Sequence, residues 1–138
     1  MQLKLSLRIA SAVMLWHSIG HTIGALGQDR APNPKIAAVI SGMHTEHFEF
    51  MGRSVTLGMF FNGYGFTMIF VLLLITTQLW FQSTRPSKQI LITLAIYLLI
   101  QAGIEYVYFF PLAALTSLVA GLLTLLGLRG LTRMKADS

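Results

Sequence analysis

The 138 residues include no cysteine, which excludes disulfides, thiolate metal ligands and cysteine nucleophiles in one step. Charge is scarce as well: Asp, Glu, Lys and Arg make up 11% of the chain, where a soluble domain carries about a quarter. No phosphate-cradling glycine loop, serine-nucleophile motif or nucleic-acid-binding signature occurs. The net charge of +5 could point to a nucleic-acid partner, but the basic residues sit at the ends of apolar runs, which is how topology signals are placed. Nucleic acid is therefore excluded as a partner, and the bilayer itself is expected instead.

What is present is four long apolar runs, at about 9–26, 54–80, 89–110 and 112–128. Each is near the length that a helix needs to cross a hydrocarbon core. They imply an all-α fold over residues 1–138 as a single membrane domain, an up-down-up-down four-helix bundle. A basic start ahead of the first run also fits a cleaved leader, but the run is long for one and carries two histidines. It is read as a retained span. Pro111 separates the third and fourth runs, which together far exceed one bilayer crossing. Trp80 is placed as an interfacial anchor.

Between the first two runs, Asn33-Pro34 has the form of an N-cap followed by proline at the first helical position. Ile36, Val39, Ile40, Met43, His47 and Phe50 then recur at spacings of three and four. This predicts a short amphipathic helix in the first outer loop, on the membrane surface or over the bundle mouth. Lys4, Arg8, Arg85, Lys88, Arg129, Arg133 and Lys135 fall on one side of the spans, against Arg30, Lys35 and Arg53 on the other. The imbalance predicts both termini in the cytoplasm.

Ionisable residues inside such runs are rare and need partners. His17 and His21 lie one turn apart, and Met14, His17, Ser18, His21 and Thr22 share an arc of about 140°. On the third run Tyr97, Gln101, Glu105 and Tyr108 share an arc of about 80°. Counting about 1.5 Å per residue from the outer end of each run, His21 and Glu105 both lie roughly 7 Å deep. His17, Gln101 and Asn62 lie roughly 12–14 Å deep. The candidate site for a ligand or proton is therefore His17, His21, Asn62, Gln101, Glu105 and Tyr108, with His21 paired to Glu105. Small residues Ala113, Ala114, Ser117, Gly121 and Thr124 form a packing stripe on the fourth run.

Imidazole and carboxylate together suit Zn or Fe, or proton exchange near neutral pH. The metal candidates are His17, His21 and Glu105, with His44 and His47 of the outer loop as a weaker pair. Four histidines are too few for a membrane di-iron site, and two on one helix face cannot clasp a haem from both sides.

The pieces Leu15-Trp16-His17-Ser18-Ile19-Gly20-His21-Thr22-Ile23-Gly24, Phe61-Asn62-Gly63-Tyr64-Gly65-Phe66 and Tyr108-Phe109-Phe110-Pro111 resemble a small uncharacterised bacterial four-span inner-membrane family. The resemblance implies that location and a four-helix fold, and no activity. Three functions are thereby weighed. The first is an accessory, non-catalytic protein whose buried His/Glu site near the outer face binds a small hydrophobic ligand, a metal or a proton. The second is a metal-dependent membrane enzyme acting on a lipid or isoprenoid. The third is a structural subunit whose polar groups only join helices.

Overall fold

The computed structural model describes residues 2–136, with side chains from 3 to 133. In chain order the elements are α1 (Gln2–Leu26), α2 (Pro34–Thr45), β1 (His47–Phe50), β2 (Arg53–Thr56), α3 (Leu57–Gln82), α4 (Lys88–Tyr108) and α5 (Pro111–Ala136). Among the described residues the chain is all-α apart from one two-stranded hairpin. Helices α1, α3, α4 and α5 are each long and apolar enough to cross a membrane.

The chain divides into two compact units. The larger takes α1 up to Ser18, α3 from Leu72, and all of α4 and α5. Its core is a set of apolar stripes at helical spacing: Leu3, Leu7, Ala10 and Met14 on α1, and Leu91, Ala95, Leu98 and Ala102 on α4, are all buried. On α5 the expected small-residue stripe is the buried face, with Ala113, Ala114, Ser117, Gly121 and Thr124 all covered. A side chain on Gly121 would meet Leu98 and Leu99 of α4 at 3.1–3.3 Å, so its absence lets the two backbones come close. The Ser11 hydroxyl donates to the Thr76 carbonyl at 2.9 Å, tying α1 to α3. The Arg8 guanidinium lies 4.8 Å from the centre of the Trp80 ring, so the tryptophan also receives a cation.

The smaller unit runs from Ile19 to Val71. Asn33 caps α2 as expected: its side chain accepts from the Ile36 amide at 3.0 Å, and Pro34 opens the helix. The helix stops at Thr45, and the residues expected to continue it pair as a hairpin, His47 opposite Thr56 and Phe50 opposite Arg53. The two-residue turn holds Met51 at φ 52° and Gly52 at φ 77°. Both angles suit the mirror-image turns that match strand twist, but methionine gives no sign of a left-handed position in advance. Phe60 gathers the hairpin, stacking on Phe48 at 6.2 Å and meeting Phe50 edge-on at 5.3 Å.

Boundaries shift for identifiable reasons. The second run starts its helix at Leu57, not Ser54, because residues 53–56 are committed to β2. Thr56 then caps α3, its hydroxyl accepting from the Met59 amide at 3.2 Å. Helix α1 begins at Gln2, seven residues before the first apolar run, since Leu3 and Leu7 continue the buried stripe. Helix α5 runs past residue 128 because Gly127 and Gly130 serve as contact points for Leu7 and Leu3, not as stop signals. Gln82 closes the 83–87 turn by accepting from the Ser87 amide at 2.6 Å. As the proline requires, α4 ends at Tyr108 and α5 starts at Pro111.

Candidate functional site

Three helices of the larger unit bring one polar cluster together. His17 continues the Leu3-Leu7-Ala10-Met14 stripe of α1, so the packing that buries those apolar residues buries the imidazole as well. Gln101 and Glu105 do the same for the Leu91-Leu98 stripe of α4. Both are 6% exposed and His17 is 9% exposed. His17 Nε2 lies 3.4 Å from Glu105 Oε1. The Gln101 amide donates to the same oxygen at 2.6 Å, one turn away along α4. On the other side of the ring, Thr116 Oγ1 lies 2.9 Å and Ser117 Oγ 3.4 Å from His17 Nδ1, both from α5.

Proton counting gives this cluster its chemical character. The single hydroxyl proton of Thr116 goes to the Ala113 carbonyl at 2.7 Å. Ser117 can donate to His17 Nδ1, whereas the Thr116 hydroxyl, its proton so used, faces that nitrogen as an acceptor and suits the tautomer protonated at Nδ1. A neutral ring of that tautomer presents a lone pair at Nε2, and an ionised Glu105 would oppose it with a second acceptor. The contact becomes attractive once one further proton is held by the pair, on Nε2 or on the carboxyl. Glu105 Oε2 and Gln101 Oε1 are also buried and lack a hydrogen-bond donor. A buried acceptor left without a donor costs on the order of 1–3 kcal/mol.

The expected pairing of Glu105 is therefore corrected by one helical turn: its partner is His17. The depth count assumed that helices end at a common level. The contact falls nine residues before the end of α1 but three before the end of α4. His21, half-buried in the smaller unit, meets the Gly65 carbonyl at 3.2 Å through Nε2. A carbonyl only accepts, so that nitrogen is the protonated one. Asn62 is also in the smaller unit, where its side-chain oxygen accepts from Gln28 Nε2. Tyr108, at the last turn of α4, is 76% exposed and adds nothing to the cluster.

The metal reading fares differently. Among the described residues no group of three or more His, Cys, Asp or Glu side chains converges on one point. His17 and Glu105 supply two ligand groups, short of the three protein ligands that a catalytic zinc usually has. In the outer-loop pair, His44 Nε2 lies 3.0 Å from Asp29 Oδ1, and His47 Nδ1 lies 3.3 Å from the Ser54 hydroxyl. Those two histidines are thus engaged separately. The His44 ring also rests directly on Gly58, where an added Cβ would clash with the imidazole.

Two partners of His17 were not anticipated from the sequence. Ser117 counted only as a small packing residue, and Thr116 drew no notice because threonine is common in apolar helices. The readable signal was their adjacency to the buried α5 stripe. Asp29, in a polar connection, likewise gave no hint of His44. No family model, curated protein or solved structure matches this chain, so its reading rests on the geometry above.

Proposed function

We propose that this is a multi-pass membrane protein in which the His17–Glu105 pair, supported by Gln101, Thr116 and Ser117, holds and exchanges one proton in an accessory, non-catalytic role. The observation that carries the reading is the opposition of His17 Nε2 and Glu105 Oε1 at 3.4 Å, in a buried cluster where Glu105 Oε2 and Gln101 Oε1 lack donors. A histidine and a carboxylate so placed can pass a proton between them within a small ring movement. The four apolar helices support bilayer insertion, and the distribution of basic residues supports cytoplasmic termini.

The test is infrared difference spectroscopy of the purified protein in lipid, recorded across a pH titration in H2O and D2O. A carboxyl band that changes with pH, shifts in D2O and disappears in Glu105→Gln is expected. A spectrum that Glu105→Gln leaves unaltered would reduce the cluster to helix-joining polar contacts.

Topology has its own check. A reporter fused after Ser138 is expected to behave as cytoplasmic, and one inserted near Asn33 as external. The reverse result would invert the orientation and place the proton site toward the opposite face.

A further inference from the structure

A second site lies away from the histidine cluster, where the beginning of α1 runs beside the end of α5. Gly127 and Gly130 let the two helices approach, with Leu7 and Leu3 seated against them. Beside this crossing, Leu5 and Ile9 of α1 face Leu123 and Leu126 of α5 across an open groove of about 340 Å³. That volume is within the range of small-molecule sites, roughly 300–1,000 Å³. At one end of the groove stand Arg129 and Arg133, one helical turn apart on α5. Both guanidinium-bearing residues are exposed, and among the described residues no Asp or Glu lines the groove.

We infer that this groove binds a phospholipid with an anionic headgroup. One acyl chain would lie along Leu5, Ile9, Leu123 and Leu126, and the phosphate would bridge Arg129 and Arg133. The charge complementarity chooses the occupant. Guanidinium groups recognise phosphate through paired donors, and two of them at the mouth of an apolar trough match a ligand that is anionic at one end and hydrocarbon beyond. A second protein helix is the poorer fit, since it would have to bring its own carboxylates to the same two positions. The rise from Leu123 to Arg129 is about 9 Å, enough to seat a stretch of chain below the headgroup.

The experiment uses the full chain in neutral detergent and follows bound lipid by native mass spectrometry after exposure to phosphatidylglycerol, phosphatidylcholine or glycerol phosphate without acyl chains. At about five- to sixfold per basic residue, two arginines correspond to a preference of about 30-fold for phosphatidylglycerol over phosphatidylcholine. The paired change Arg129→Gln with Arg133→Gln is expected to abolish it. Both residues are exposed, so the fold should survive the change. Arg85→Gln with Lys88→Gln, outside the groove, should leave the preference intact. Three results overturn the inference: equal retention of both lipids, an equal loss in the Arg85/Lys88 variant, or full competition by glycerol phosphate. The last would show an arginine pair that binds phosphate without using the groove.

Discussion

Glu105→Ala and His17→Ala are each expected to destabilise the protein by about 3 kcal/mol, at the lower end for loss of one partner from a buried pair. Each removes one side of a contact whose groups are nine-tenths buried, and the survivor must then lose its charge or stand unpaired. Glu105→Ala also strands the Gln101 amide, which donates to the same oxygen, and His17→Ala takes a hydrogen-bond partner from Thr116. Removing both leaves fewer orphaned groups, so the double variant should cost clearly less than the sum of the two. Glu105→Gln is expected to be milder than either, because an amide at 105 can still donate to His17 Nε2 while holding no exchangeable acid proton. This separates stability from proton exchange: the glutamine variant should fold and yet lose the infrared carboxyl signal. Unfolding of the four variants in one neutral detergent checks the set. Strict additivity, or a glutamine variant as damaged as the alanine one, would mean that the pair does not act as a unit.

The helices were legible because an apolar run of about 20 residues has few other uses, and Pro111 divided the last two without ambiguity. The α2 cap was legible for the same kind of reason, since Asn-Pro ahead of an amphipathic pattern satisfies a helix start. The hairpin was hidden. His47 and Phe50 fit the helical spacing that precedes them, and the turn places a methionine where asparagine or glycine would have announced it. The polar cluster was half legible: sequence periodicity places His17, Gln101 and Glu105 on inward faces, because each extends a stripe of buried apolar residues. Which histidine meets the carboxylate depends on how far one helix slides along another, and a sequence carries no ruler for that. Glycine spacing alone does not reveal which glycines are contact points. Gly20 and Gly24 have the spacing of a packing motif, yet a side chain on either would meet nothing within 4 Å. Gly127 and Gly130 look like the frayed end of a span and are contact points instead.

That contrast makes the second large effect. Gly127→Leu is expected to disrupt the larger unit, while Gly103→Leu is tolerated, although both glycines interrupt apolar helices in the same way. A Cβ on Gly127 would stand 2.9 Å from Cδ2 and 3.0 Å from Cγ of Leu7, closer than carbon atoms pack. Leu7 is itself fully buried, so it has no open space into which to turn. One of the two helices must shift, and overpacking of this kind costs about 1–3 kcal/mol, at the upper end for a branched side chain. The shift would also disturb Leu3 against Gly130 and the groove beside the crossing, so anionic lipid retention should fall along with stability. At Gly103, on α4, nothing lies within 4 Å of the added atom, and exchanging glycine for leucine there removes a helix penalty of about 0.5–1 kcal/mol. Relief of the clash supplies the control: Leu7→Ala combined with Gly127→Ala should be more stable than additivity predicts, because the methyl group then enters space that the leucine has vacated. Apparent melting temperatures in detergent decide it. Equal tolerance of leucine at 127 and 103 would mean that α1 and α5 do not pack at Gly127 as closely as 2.9 Å requires.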